Sequence, residues 1–147
     1  MGTITDFGTK VGTEPIIMAG SYVLVFNSLG HLLLQRQNDN LDWSLIEGVL
    51  EPGESLEETA SRGLFKETGL RAKAYQLKTV LSGNVTNDEY PHEEVYNVMA
   101  IFEAQEVEGE LHNHVDQGIE CKFFCLKASL PNLTPSTEYV LKKIGYL

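Results

Sequence analysis

The sequence predicts an α+β domain in which two helices pack against a mixed β-sheet. Segments of strand length, rich in apolar and β-branched residues, recur between loops rich in Asn, Asp, Gly and Pro. Two further segments carry residues that cap helices. The chain has 147 residues, the usual size of one domain. We therefore expect a single domain over residues 1–147.

The N-terminal strands are predicted to form a hairpin. Residues 16–26 read IIMAGSYVLVF, residues 27–30 supply turn chemistry, and residues 31–37 form the return strand. A short strand is predicted over residues 49–51, before Pro52-Gly53.

The first predicted helix covers residues 55–68. Ser55 and Glu58 fit the S-x-x-E capping box, and Gly69 stands where a helix commonly ends. Strands follow at residues 73–81, 95–106 and 120–126. A second helix is predicted from the cap Thr134 through residue 144, with Pro135 at its first position.

The distribution of charge along the chain limits the kinds of ligand that it can bind. The formal net charge is −10, and residues 79–121 contain ten acidic residues but no Lys or Arg. Such a surface repels a phosphate backbone, so we expect no nucleic acid polymer as partner. An anionic ligand would need metal cations to mediate its binding.

The sequence favours a cytoplasmic protein without a membrane segment. No stretch reaches the roughly 18 apolar residues of a membrane span, and residues 1–15 lack the features of a secretory signal. Cys121 and Cys125 lie on one predicted strand, about 13 Å apart at the usual rise. Because a disulfide needs a shorter distance, we expect both thiols to be reduced.

Glu67 is the acid that the first helix singles out. Leu56, Ala60 and Leu64 define an apolar arc on the helical wheel, and Glu67 falls inside it. A carboxylate on the buried side of a helix needs a metal, an Arg or several donors as partners. The alternative is that this last-turn side chain tilts out to solvent.

The spacing around this helix resembles the Nudix box, G-x5-E-x7-R-E-U-x-E-E-x-G-U, where U is aliphatic. Seven of its nine specified positions match: Gly48, Glu54, Arg62, Leu64, Glu67, Gly69 and Leu70. The other two carry Gly63 and Lys66 in place of glutamates. The order of strands, helices and loops around the box is also similar. The resemblance implies the Nudix α/β/α sandwich with a mixed sheet.

The resemblance also implies a reaction and a cofactor. Nudix enzymes hydrolyse a nucleoside diphosphate linked to another moiety, such as ADP-ribose, a sugar nucleotide or a nucleoside triphosphate, with Mg²⁺ or Mn²⁺. By resemblance, the carbonyl of Gly48 and the carboxylates of Glu54 and Glu67 hold the metal, and Arg62 buttresses Glu54. An exposed pair between Arg62 and Glu58 is the alternative for that arginine.

The two departures predict impaired activity. Gly63 removes a potential ligand and costs about 1 kcal/mol of helix propensity, so stability does not explain it. Lys66 removes a second ligand and repels a divalent ion. Restoring glutamate at both positions is expected to raise metal affinity and turnover. The alternative function is a non-catalytic nucleotide-binding or sensor module, in which Lys66 contacts phosphate directly.

Four more residues complete the predicted site. Asp116 is a candidate catalytic acid, and Glu47 is an acid that partly compensates for the lost glutamates. Arg36 and Trp43 are candidates for substrate binding, although Trp43 is equally consistent with a core aromatic. Pairing of edge strands into a homodimer is a further expectation from the resemblance.

Overall fold

The structure is a computed structural model and describes residues 15–37, 41–83, 95–113, 118–128 and 130–147. Within these residues the chain forms six strands and two helices. In chain order they are β1 (Ile16–Leu24), β2 (Leu32–Gln37), β3 (Ile46–Val49), α1 (Leu56–Thr68), β4 (Arg71–Leu81), β5 (Val95–Glu108), β6 (Ile119–Phe124) and α2 (Pro135–Lys143). Neither described helix is long and apolar enough to cross a membrane.

The main sheet has four strands in the order β3-β1-β5-β4. β1 runs parallel to β5 and antiparallel to β3, and β4 runs antiparallel to β5, so the sheet is mixed. β2 and β6 form a separate antiparallel pair. The mixed sheet with two helices confirms the predicted fold class.

The predicted hairpin is present at its turn but does not continue as a two-stranded ladder. At the turn, the N–H of Leu33 donates to the carbonyl of Val25 at 2.9 Å and Phe26 bridges Leu32 in antiparallel fashion. Beyond the turn, β1 and β2 belong to different sheets. At the end of β1, successive apolar side chains enter two different cores. Leu24 packs into the core beneath α2, and Val25 packs into the core beneath α1. The predicted strand at residues 49–51 is also displaced, because β3 ends at Val49 and a turn follows.

Two apolar cores hold the layers together. The first lies between α1, the main sheet and the adjoining face of the β2–β6 pair; its buried members include Val23, Leu33, Ile46, Ala60, Leu64, Phe102 and Cys121. The second lies on the other side of the main sheet and beneath α2; its buried members include Tyr22, Leu24, Leu34, Trp43, Leu45, Ile101, Val140 and Leu141.

Local signals explain why α1 forms where the sequence predicts it. Ser55 is the N-cap, and Ser55 and Glu58 make the reciprocal capping-box hydrogen bonds. Gly69 ends the helix in the left-handed conformation with φ 78°, where a side chain is strained. The hydroxyl of Ser21 donates to the carbonyl of Leu56 at 2.6 Å, which fixes the start of the helix on β1.

Candidate active site

Helix α1 and strand β3 approach each other at backbone distance. A Cβ atom on Gly63 would lie 2.6 Å from the carbonyl oxygen of Glu47. A Cβ atom on Gly48 would lie 2.7 Å from the carbonyl oxygen of Thr59. The carbonyl oxygen of Gly48 itself lies against Gly20 of β1. The two glycines of β3 and α1 therefore allow a contact that no side chain would fit.

Arg62 and Glu54 form a clamp beside this contact. The Nε of Arg62 donates to Glu54 Oε2 at 2.7 Å, and its Nη2 donates to Glu54 Oε1 at 3.0 Å. The same Nη2 donates to the carbonyl of Val49 at 2.6 Å. One guanidinium thus joins α1, the end of β3 and the loop between them. The exposed pair with Glu58 is not the arrangement observed, because Glu58 is engaged in the capping box.

The carboxylate of Glu54 is almost fully engaged by protein donors. Its Oε1 also accepts from the hydroxyl of Thr59 at 2.8 Å and from the backbone N–H of Glu51 at 3.0 Å. Hydrogen bonds from Arg62, the largest influence, lower the pKa of Glu54 from 4.5 to about 2 despite its desolvation. Glu54 is therefore ionised at neutral pH and serves mainly to hold the loop before α1.

Glu67 lies at the other end of α1, facing the β2–β6 pair. Its side chain is half-buried, and Gln37 Nε2 of β2 lies 3.5 Å from Glu67 Oε2. The thiol of Cys121 on β6 lies 3.5 Å from the backbone carbonyl of Glu67. Burial, and to a smaller extent the nearby charges of Glu67 and Glu120, raise the pKa of Cys121 to about 11. This thiol is therefore protonated at neutral pH.

The helix separates the two acids that were expected to share an ion. The hydroxyl of Thr59 donates to the carboxylate of Glu54, so Glu54 lies beside Thr59. Glu67 is eight positions after Thr59, which corresponds to a rise of about 12 Å along a helix. A divalent ion needs its carboxylate oxygens at about 2.1 Å. This geometry does not favour one ion held by both Glu54 and Glu67, because the acids lie toward opposite ends of α1 and Glu67 faces β2 and β6.

A family model of the NUDIX domain matches residues 18–144. The chain belongs to the NUDIX domain family. Residues 48–70, whose geometry is given above, lie inside this match.

Curated relatives of the chain carry the names of hydrolases. The chain is 42% identical over 53 residues, 36% of each protein, to a putative 8-oxo-dGTP diphosphatase of Bacillus subtilis (strain 168). It is 24% identical over 129 residues to an NAD-capped RNA hydrolase of Actinobacillus succinogenes, which is 88% of this chain and 45% of that protein. The chain thus spans less than half the length of these curated relatives.

A solved structure confirms the Nudix fold. A MutT NUDIX hydrolase of Burkholderia pseudomallei superimposes with a TM-score of 0.69 at 22% identity. The match covers 86% of this chain and 96% of that one. At this identity the likeness concerns the fold alone.

The two residues that depart from the Nudix box have different surroundings. Gly63 is buried against β3, whereas Lys66 is exposed. Within the part of the chain that the structure describes, the side chain of Lys66 makes no hydrogen bond or ion pair. The expectation that stability does not explain Gly63 is wrong, because a Cβ atom at this position would collide with the backbone of β3.

Glu47 lies on the exposed side of β3, which faces away from α1. Side chains alternate between the two faces of a strand, and Ile46 and Gly48 of β3 face α1. Glu47 therefore projects toward the opposite face of the sheet, away from Glu67. The carbonyl oxygen of Gly48 lies close to Gly20 of β1, and its role as a metal ligand stays a prediction.

Trp43 is a core residue rather than a platform for a nucleobase. Its side chain is 6% exposed and packs edge-on against Phe124, with ring centroids 4.8 Å apart. The guanidinium of Arg36 covers the indole at 4.8 Å and pairs with Glu120 at 2.6 Å. Of the two alternatives for Trp43, the core aromatic is the one observed, and Arg36 faces away from the side of β2 on which Gln37 meets Glu67.

The described residues show no assembled site for a divalent ion. Across those residues no group of three or more His, Cys, Asp or Glu side chains is placed to hold a metal. Asp116, the remaining candidate acid, lies outside the described residues. A Mg²⁺ ion is commonly bound by one or two carboxylates together with substrate phosphates and water. Glu67 fits that arrangement, although it does not make a metal site by itself.

Sequence reasoning missed the surroundings of Glu67. Gln37 and Cys121 come from strands far from α1 in the sequence, and only the pairing of β2 with β6 brings them together. The alternation of side chains along β2 could have revealed that Gln37 faces α1. It places Gln35 and Gln37 on the same face of the strand as the apolar Leu33, which lies in the core beneath α1.

Proposed function

We propose that the chain is a divalent-metal-dependent Nudix hydrolase that cleaves a nucleoside diphosphate linked to another moiety, with reduced activity. The position of Glu67 carries this proposal. It is a box acid on the side of α1 that faces the β2–β6 pair, within reach of Gln37. The hydrolase names of the curated relatives support the reaction class.

A single anchoring carboxylate suits an ion that arrives with the substrate. When bound, Mg²⁺ or Mn²⁺ neutralises diphosphate charge and favours attack by water. Glu67 supplies the protein's ligand to that ion, and the substrate phosphates supply others. The amide of Gln37 orients the Glu67 carboxylate from the β2 side.

Arg62 and Glu54 position the catalytic helix in this proposal. Their clamp fixes the loop from β3 to α1, and the contact at Gly63 fixes the middle of the helix. Glu67 follows Gly63 by one helical turn, so its position depends on both. Asp116 remains a proposed source of a further acid. Losing box ligands lowers the rate by factors of hundreds or more, since transition-state contacts commonly contribute several kcal/mol.

The test is release of nucleoside monophosphate from a panel of diphosphates with Mg²⁺ or Mn²⁺. The panel contains ADP-ribose, UDP-glucose, 8-oxo-dGTP and an NAD-capped RNA oligonucleotide, because the relatives' names include both small nucleotides and RNA ends. We expect slow, metal-dependent turnover of at least one small nucleotide. Glu67→Gln should abolish it. Turnover that persists unchanged in this variant would contradict the proposed role of Glu67.

The exposed Lys66 favours a second candidate, a nucleotide-binding module without hydrolysis. An ammonium group with no ion pair among the described residues can contact a phosphate without a metal. Calorimetry with ADP-ribose in the presence of a chelator distinguishes the two functions. Binding that needs no metal, depends on Lys66 and is accompanied by no turnover of any substrate supports the module.

A further inference from the structure

Glu106 of β5 is the one residue other than glycine with a positive φ angle, 52°, among the residues that the structure describes. Residues with a Cβ atom avoid this left-handed region, and Asn and Asp are the usual exceptions. The side chain of Glu106 is exposed and makes no hydrogen bond or ion pair within the described ranges. Contacts of its carboxylate therefore do not hold this conformation, and the cause lies in the path of the backbone.

The ladder between β4 and β5 turns over at this residue. Tyr75 pairs with Ala104 and Ala72 pairs with Val107, without a change of register between the two pairs. All four side chains pack in or against the core beneath α1. Residues three apart on a regular strand point to opposite faces, so one pair must be rotated relative to the other. Glu106 lies between Ala104 and Val107, and its left-handed conformation supplies that rotation.

The rotated end of β5 leads into residues 109–113, which are attached to the C-terminal end of α1. The N–H of His112 donates to the carbonyl of Thr68 at 2.8 Å, which satisfies a carbonyl of the last helical turn. The side-chain carbonyl of Asn113 accepts from the N–H of Cys121 on β6 at 2.6 Å. The segment thus joins the end of α1 to β6, and its path depends on the direction in which β5 ends.

We propose that Glu106 is a positioning residue, whose backbone conformation rather than its carboxylate directs residues 109–113 onto the end of α1. Glu67 directly precedes Thr68 in the last turn of the helix, so a displaced segment would also disturb Glu67. The consequence for turnover rests on the proposed function. The positioning itself requires no catalytic activity.

The stability of variants at position 106 tests the conformation. Valine is favoured over glycine in a regular strand, whereas glycine is favoured at a positive φ angle, so the order of stability reveals which applies. We expect Glu106→Val to lower Tm by about 4 °C or more. Glu106→Gly and Glu106→Asn should leave Tm unchanged or raise it.

Lys73 is the matched control, because it is exposed on β4 and has no positive φ angle. There the order should reverse: Lys73→Gly should lower Tm, and Lys73→Val should not. A Glu106→Val variant that is more stable than Glu106→Gly would overturn the proposal.

Hydrogen exchange followed by nuclear magnetic resonance tests the positioning. In Glu106→Val the amide of His112 should exchange about tenfold or more faster than in the unaltered chain, because its bond to Thr68 opens more often. Glu106→Asn should keep the slow exchange. Leu141→Ala, which acts on the other core, controls for lost stability and should leave the exchange of His112 unchanged. Unchanged exchange in Glu106→Val, or equal acceleration in Leu141→Ala, would overturn the proposal.

Turnover gives a separate readout of the same role. In the proposed hydrolase, Glu106→Val should lower kcat by a larger factor than it changes KM, and Glu106→Asn should retain the kcat of the unaltered chain. Equal kcat in all three proteins would overturn the link to Glu67. The Tm and exchange measurements use no nucleotide, so the positioning can hold in a chain that hydrolyses nothing, and the hydrolase can hold if the positioning fails.

Discussion

Glu54 and Glu67 belong to the same box and differ in what surrounds them. Four hydrogen bonds from Arg62, Thr59 and the backbone of Glu51 surround Glu54. Glu67 instead faces the β2–β6 pair and meets the amide of Gln37 at 3.5 Å. Spacing in the sequence predicts that both acids matter but cannot assign these roles, because the roles depend on which donors the fold brings to each carboxylate.

The low pKa of Glu54 predicts a pH-dependent contribution to stability. Because the pKa is about 2 in the folded chain, below its usual 4.5, ionised Glu54 stabilises the fold above pH 4.5. That contribution is lost as the pH falls from 4.5 toward 2. The Tm difference between the unaltered chain and Glu54→Gln should therefore be largest above pH 5 and shrink over this window. A difference that is independent of pH would contradict the clamp.

Cys121 should be a slow nucleophile. Burial, and then the charges of Glu67 and Glu120, raise its pKa to about 11, so little thiolate exists at pH 8. Alkylation by iodoacetamide at pH 8, followed by mass spectrometry, should modify Cys121 at least about tenfold more slowly than glutathione. Labelling as fast as glutathione would contradict the described burial.

Helix α1 is the element that the sequence predicts best. Its capping box, terminal glycine and apolar arc are local patterns, and each is present in the structure. The role of Gly63 escapes such reasoning because it depends on the backbone of β3, fifteen residues earlier in the chain. The wheel places Gly63 on the buried face beside Ala60, but only the contact distances reveal that the space is closed.

The Arg62 clamp should stabilise the junction of β3 and α1. Arg62→Lys keeps the charge but cannot reproduce two hydrogen bonds to Glu54 and one to the carbonyl of Val49. We expect a decrease in Tm of about 3–6 °C. Lys73→Arg, on an exposed position of β4, is a control that should leave Tm unchanged. Equal stability of Arg62→Lys and the unaltered chain would show that the clamp contributes nothing.

At the scale of the whole molecule, the fold class could be predicted but the strand pairing could not. Alternating apolar residues reveal that residues 16–26 and 31–37 are extended, and the turn between them favours a hairpin. The two strands separate because each buries residues in both cores, which is a property of the complete fold. The predicted homodimer and the assignment of Asp116 stay predictions.

The second core should be essential to stability and remote from the site. Leu141 of α2 is fully buried there, so Leu141→Ala should lower the free energy of unfolding by about 2–5 kcal/mol in urea. The exposed Lys142→Ala on the same helix is the control and should change it little. A small effect of Leu141→Ala would contradict the described packing of α2.

The central claim is that Glu67 and the substrate's phosphates hold one divalent ion together. Titration of Mn²⁺ by electron paramagnetic resonance, with and without a nonhydrolysable ADP-ribose analogue, tests it most directly. We predict weak binding to the protein alone, and formation of a ternary complex with the analogue that Glu67→Gln eliminates. Tight binding of Mn²⁺ without nucleotide, or a ternary complex unaffected by Glu67→Gln, would contradict the claim.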